Sequence, residues 1–251
     1  MYNSGHSGRF EPCKAWKVHG NRASLVKEES MPEGTRSAFD RVFGEAQEDI
    51  LRLGDLVDRA IANALSSLQN RDRVQAEEVI RDDDAINELR FKIEEACLVL
   101  IATQQPAASD LRAVVAAMNI VVDIERMGDY ATGIAKTVLR MGDEPLLKPL
   151  IDIPRMAELA RRMLRGDLDA YIQRDAAKAR DVAMLDDEMD HLYKSIFDEL
   201  VAIMAKDPNA ATRATYLLWT AHNLERMGDR VTNISERIIF ITTGDMQELN
   251  V

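Results

Sequence analysis

The feature that most constrains this chain is a pentapeptide used twice, one hundred residues apart. Glu125-Arg-Met-Gly-Asp129 returns as Glu225-Arg-Met-Gly-Asp229, with Thr132 and Ile134 matched by Thr232 and Ile234. Upstream, Arg71-Asp72 followed by Asp83, Asp84 and Asn87 corresponds to Arg174-Asp175 followed by Asp186, Asp187 and Asp190. Pro106 and Pro208 mark corresponding turns. Chance supplies one acidic pair, but not a whole series in the same order. One structural unit has been used twice.

The unit is helical. Beyond Pro32 no proline occurs until Pro106, and the rest are Pro145, Pro149, Pro154 and Pro208. Proline inside a helix costs about 3 kcal/mol, so such runs permit long helices. Leu111, Val114, Val115, Met118, Val121 and Val122 share one helical face, as do Leu217, Leu224, Met227, Val231, Ile234 and Ile238. Sustained alternation is absent and aromatics are only 5%, so strands are not expected. The pattern predicts six helices over 37–69, 71–102, 109–141, 155–173, 176–206 and 210–243, with a capping box at Ser37 and Asp40 and an N-cap at Ser109. The fold class is therefore all-α: two tandem, pseudo-symmetric three-helix bundles of long antiparallel helices. The expected domains are 34–143 and 155–251, joined by a proline-rich linker over 144–154. Residues 1–33, where Gly5, Gly8, Pro12, Gly20 and Pro32 sit among polar and basic residues, read as a disordered tail. Met31 offers an alternative start that would leave 1–30 outside the native protein.

Composition narrows the function. Hydrophobic residues make up 46% and charged residues 30%, which suits amphipathic helices. The longest apolar stretch, over 96–102, is too short for a transmembrane segment, and no signal-peptide core is visible, so a cytoplasmic protein is expected. Cys13 and Cys97 are the only cysteines, which excludes a disulfide framework and a cysteine-based zinc site. A net charge of -11 argues against nucleic acid and is compatible with a cation or a basic protein partner.

The chemistry lies in the carboxylates. Glu125 and Asp129, and Glu225 and Asp229, stand at i and i+4 on one helix face, where like charges repel by a few tenths of a kcal/mol. Arg126 and Arg226, each three residues before the aspartate, are one source of compensation, and a bound cation is the other. Asp83, Asp84 and Asn87, and Asp186, Asp187 and Asp190, lie on the preceding helix and can add oxygen ligands if it packs alongside. Divalent or trivalent metals such as iron, zinc, magnesium or manganese accept such ligands. A solvated face laced with ion pairs is the competing reading. Gly128 and Gly228 suggest close helix approach or room above the acids. His222, three residues before Glu225, is opposite Val122 in the repeat and reads as an ordinary polar position more readily than as a ligand. Glu188 and His191 have the Glu-x-x-His spacing of di-metal enzymes, but such sites need two pairs, and this chain has one. Phosphate-binding glycine loops, nucleophile elbows and zincin motifs are absent, which leaves a carboxylate-bridged metalloenzyme and a purely structural helical scaffold as alternatives to a binding protein.

The duplicated block with Glu-xxx-Asp in its third and sixth helices resembles the PhoU family. The resemblance spans 36–243, through Gln105-Pro-Ala-Ala-Ser-Asp-Leu-Arg112, Ile124-Glu-Arg-Met-Gly-Asp129 and Asn223-Leu-Glu-Arg-Met-Gly-Asp-Arg-Val-Thr-Asn-Ile234. It implies two three-helix bundles, frequent homodimers, and metal at Asp83, Asp84, Glu125 and Asp129 and at Asp186, Asp187, Glu225 and Asp229. Asn87 in place of an acid matching Asp190 is a departure that makes the two sites unequal. The resemblance further implies a non-enzymatic negative regulator of phosphate uptake and starvation signalling, an adaptor between the ATPase of the phosphate ABC transporter and a membrane sensor histidine kinase. The long N-terminal tail is outside the family pattern.

Overall fold

A computed structural model describes residues 33–142 and 144–249, with side chains from Ala38 onward. The tail expected over 1–33 lies outside the described residues except for Glu33. Within them the chain is all-α. The helices are α1 (Glu33–Asn70), α2 (Arg73–Gln104), α3 (Ala108–Met141), α4 (Asp152–Gln173), α5 (Ala176–Ala183), α6 (Asp186–Lys206) and α7 (Ala211–Thr243), with a 3-10 turn over Pro208–Ala210 before α7. None of these is long and apolar enough to cross a membrane.

The repeated Arg-Asp dipeptides make the tightest turns. Arg71 and Arg174 adopt left-handed φ values of 55° and 53°. The following amides close the helix ends: Asp72 N donates to Ser67 O and Asp175 N to Ala170 O, each at 2.9 Å. The aspartates then cap the next helices, Asp72 accepting from Gln75 N at 3.0 Å and Asp175 from Ala177 N at 2.9 Å. Two residues thus end one helix and start another, because a left-handed residue satisfies terminal carbonyls and the aspartate satisfies terminal amides.

Three local expectations are corrected. α1 already runs at Ser37, so Ser37 and Asp40 do not start it. α3 begins at Ala108 with Ala107 as its uncapped N-terminal neighbour, which places Ser109 inside the first turn. The single helix expected over 176–206 is divided at Met184 and Leu185, where Leu185 N→Val182 O (3.0 Å) and Glu188 N→Leu185 O (3.1 Å) tighten the ladder to i→i+3 bonds. Both residues stay right-handed, with φ of -63° and -71°. The tightening therefore leaves no trace in the apolar pattern.

α1, α2 and α3 pack mutually, and α7 packs against α4, α5 and α6. The most extensive pairing joins the two sets, α3 against α7, and α1 also meets α4. Asn233 donates to Asp123 while Gly133 abuts Asn223, which makes α3 and α7 antiparallel about their Glu-xxx-Asp segments. On the other seam Arg161 holds Asp58 with two bonds of 3.0 and 2.8 Å. One continuous core results, from Phe39 in α1 to Ile239 in α7. α3 meets three helices and buries Ala113, Ala116, Ala117, Gly128, Ala131 and Ala135, small residues that let the axes approach.

Candidate metal centres

α3 carries Glu125 and Asp129 past α2, and α7 carries Glu225 and Asp229 past α6. The two glycines set the spacing. A Cβ on Gly128 would meet Ile86 Cδ1 at 3.1 Å and Asp83 Oδ1 at 3.6 Å. A Cβ on Gly228 would collide with Asp186 Oδ1 and meet Met189 Cγ at 3.2 Å. The glycines therefore serve both purposes read from the sequence, close approach and space for a carboxylate from the neighbouring helix.

In the first bundle Asp83, Asn87, Glu125 and Asp129 come together. Burial raises the pKa of Asp83, and the Asp129 charge adds to it, against hydrogen bonds from Thr132 and Asn87. Burial and Asp129 likewise raise Glu125, opposed by Arg126 and Arg90. Asn87 Nδ2 donates to Asp83 Oδ2 at 3.0 Å, so it acts as a donor to an acid rather than as one more oxygen ligand. Arg126 Nη1 pairs with Asp129 at 2.9 Å. Arg90 Nε stands 3.5 Å from the buried Glu125, and its Nη1 is 2.7 Å from Glu94. Asp84 does not join: it is exposed, one residue and therefore about 100° round the helix from Asp83.

The second bundle differs. Asp186, Asp187, Asp190, Glu225 and Asp229 line one cleft of about 600 Å³, with Arg180, Ala183, Met184 and Leu249 completing its wall. Asp186 is pushed up to about 7 by burial and then by Asp190 and Asp229, with the Thr232 hydroxyl opposing. Asp190 is raised by burial and by Asp229 and Asp187, and Glu225 by burial and Asp229. Arg226 pairs with Asp229 at 2.7 Å. In the repeat Arg90 is replaced by Tyr193, which brings no charge to Glu225. His222 Nδ1 lies 3.3 Å from Glu225 Oε2, yet that oxygen is sealed from solvent and accepts no hydrogen bond. It is the orphaned buried acceptor that a cation would satisfy. Among the described residues no three acids, histidines or cysteines converge to metal-ligand geometry. The carboxylates are distributed along the cleft, as mutual repulsion dictates, and a cation would have to draw them together.

Sequence reasoning missed three contributors. Arg90 bears no repeat mark, since its counterpart is Tyr193. Thr132 and Thr232 were visible as a matched pair but had no assigned role. The third is the segment after α7: Gly244 turns the chain at φ 83°, Leu249 N donates to Glu236 Oε1 at 2.8 Å, and Arg180 Nη2 donates to Gln247 Oε1 at 2.8 Å. This strap sets Leu249 into the cleft wall. The Glu-x-x-His pair points elsewhere: both residues are exposed, Glu188 reaching Arg162 at 3.3 Å and His191 bonding the carbonyl of Asp187 on its own helix.

The glycines give a differential prediction. Gly128→Ala will change stability by less than about 1 kcal/mol, because alanine's helix preference offsets a contact that the Ile86 side chain can relieve. Gly228→Ala will leave urea unfolding similarly unaffected but drive Asp186 out of the cleft. Loss of metal uptake in the Gly128 variant and none in the Gly228 variant would reverse this ranking.

Comparison with known proteins accords with the duplicated architecture. The family model for the PhoU domain matches twice, over residues 50–138 and 153–238. A phosphate-specific transport system accessory protein PhoU homolog from Clostridium acetobutylicum is 37% identical over 217 residues, which is 86% of this chain and 99% of that protein. The homolog from Streptococcus pneumoniae serotype 4 is 35% identical over 215 residues, 86% of this chain and 100% of that protein. The crystal structure of PhoU from Pseudomonas aeruginosa superposes with a TM-score of 0.79 at 32% identity, covering 82% of this chain and 100% of that one. The phosphate transport system regulatory protein PhoU from Streptococcus pneumoniae gives a TM-score of 0.79 at 34% identity, covering 84% and 100%. With both repeats matched and identity above 30% along nearly the whole length of its relatives, this chain belongs to the PhoU family.

Proposed function

We propose that this protein is a non-enzymatic accessory regulator of phosphate transport. It acts in the cytoplasm as an adaptor between the ATPase of a phosphate ABC transporter and a membrane sensor histidine kinase, restraining the phosphate-starvation response when phosphate is plentiful. Family membership supports the accessory role. The observation that carries the rest is the second carboxylate cleft. Asp186, Asp190 and Glu225 hold raised pKa values, and Glu225 has a buried oxygen without a donor. These features fit a divalent or trivalent cation as ligand more readily than a reaction centre. An acidic surface of this kind repels free phosphate, so phosphate status reaches the protein through its partners or through bound metal.

The ligands proposed are Asp186, Asp190, Glu225 and Asp229 in the second bundle, with Asp187 at the cleft margin. In the first bundle they are Asp83, Glu125 and Asp129, held in check by Arg90 and Asn87. A bound metal supplies positive charge that ties α6 to α7, and these side chains position it.

A strain lacking this gene tests the regulatory reading. Phosphate uptake and a phosphate-responsive reporter will both be derepressed in rich phosphate, and the intact gene will restore repression. Unchanged uptake and reporter output would remove the role.

A further inference from the structure

α2 is an outer helix, and its apolar residues are not confined to the inner face. Val79, Ile86, Leu89, Ile93, Cys97 and Leu100 are buried against α1 and α3. Phe91, Leu98 and Val99 remain 59%, 57% and 53% exposed. Two of them lie on a seam. Asp84, Glu88, Phe91, Glu95, Leu98 and Ala102 follow one another at steps of four and three residues, and all six are exposed. That spacing keeps side chains on one line along a helix, and it is the line on which a second helix packs. From Asp84 to Ala102 the seam is about 27 Å long at 1.5 Å per residue, enough for five turns of a partner.

The charge on the seam selects the partner. Several carboxylates on other parts of the molecule are held in ion pairs, as in Arg41–Glu45 at 2.7 Å, Lys92–Asp49 at 2.7 Å and Arg155–Asp152 at 3.1 Å. Asp84, Glu88 and Glu95 have no ion pair among the described residues. Anionic membranes and nucleic acids are repelled by such a row, whereas a basic helix neutralises it. The repeat supplies an internal control. The corresponding seam of α6 reads Asp187, His191, Lys194, Asp198, Val201 and Ala205, with a cation in place of Phe91 and a histidine in place of Glu88. The acidic, apolar seam is therefore a property of the first bundle alone, which duplication did not require.

We propose that the outer seam of α2, built on Phe91 and Leu98 between the carboxylates of Asp84, Glu88 and Glu95, docks a basic amphipathic helix of another protein. This names a partner surface for the adaptor reading above, but the geometry does not depend on the transport role or on bound metal. It also places the partner one side chain from the first acidic centre. The guanidinium of Arg90 lies 4.0 Å above the Phe91 ring, and the same residue approaches Glu125.

The test uses the full chain and a labelled 18-residue peptide with leucines at three- and four-residue spacing and lysines and arginines flanking them. A second peptide keeps the leucines and carries glutamates instead. Fluorescence anisotropy will show saturable binding of the basic peptide only. Affinity will fall at least ten-fold in Phe91→Ser/Leu98→Ser and in Glu88→Lys/Glu95→Lys. All four side chains are exposed, so urea unfolding of both variants will match the parent, and a lost signal cannot come from misfolding. Equal affinity for the parent and both variants, or no saturable binding, would overturn the proposal. So would sedimentation showing that Phe91→Ser/Leu98→Ser dissociates a dimer of the chain, because a second copy would then own the seam.

Discussion

Ser235→Ala alone will destabilise the protein by about 2–3 kcal/mol at pH 7, the scale expected when a buried acid loses its donor. The target is Asp167, which like Ser235 is 0% exposed. The Ser235 hydroxyl lies 3.0 and 2.8 Å from the two carboxyl oxygens. A hydroxyl has one proton to give, so the second short contact fits a proton carried by the carboxyl. Burial raises Asp167 well above the usual carboxylate range, with Ser235 opposing. The repeat shows what the core accepts here, because Ala64 and Ala135 occupy the matching positions and are fully buried. Asp167→Ala/Ser235→Ala will therefore stay near the parent's stability, since removing both partners leaves no orphan.

The pH dependence follows from the direction of the shift. An unfolded aspartate ionises near 3.9. The folded Asp167 keeps its proton to higher pH, so above that point the unfolded state binds fewer protons and stability falls as pH rises. The contribution is fully present below the unfolded pKa and is lost as pH climbs through the folded one. Urea unfolding of the parent and the double variant across pH 4 to 8 will show the parent losing ground steadily with rising pH. Parallel curves would mean that Asp167 is ionised in the fold.

The second large effect concerns the two acidic centres. Glu225→Gln/Asp229→Asn will abolish the tighter of two metal-binding events and weaken total uptake at least ten-fold, while Glu125→Gln/Asp129→Asn will remove only a weaker one. The cause is local charge. Arg90 approaches Glu125 and Asn87 donates to Asp83 in the first bundle. The second presents Asp190 in place of Asn87 and leaves a Glu225 oxygen without a donor. Arg90→Ala gives the converse check, raising affinity at the first centre alone. Titration of the intact chain with manganese or zinc by calorimetry reads all three. Equal losses from the two double variants would end the claim of inequality, and absence of metal in every form would end the metal reading itself.

These centres show how much of the molecule was legible beforehand. Helix content, the paired bundles and the relation between Glu-xxx-Asp and the acids of the preceding helix could all be read from period and repetition. Periodicity reports which face of a helix is apolar, and duplication reports which features share a role. Neither reports angular position about the axis finely enough to separate neighbours. Asp83 and Asp84 looked equivalent, yet one step of about 100° turns the first inward and leaves the second in solvent. The break at Met184 and Leu185 was equally hidden, since both residues keep right-handed backbone and the apolar spacing continues through it.

By itself the sequence determined the helical class, the two-fold use of one unit and the chemical identity of its acidic motifs, because each depends on local spacing along the chain. The tertiary structure alone decided what surrounds each buried carboxylate from other parts of the chain. Arg90 reaches Glu125 from α2, Leu249 closes the second cleft from the segment beyond α7, and Asp167 meets Ser235 across α4 and α7. Those partners are far apart in the chain or unmarked by the repeat, and the field at a carboxylate depends on distances through space. The two Glu-Arg-Met-Gly-Asp segments are identical in sequence, and packing makes them chemically different.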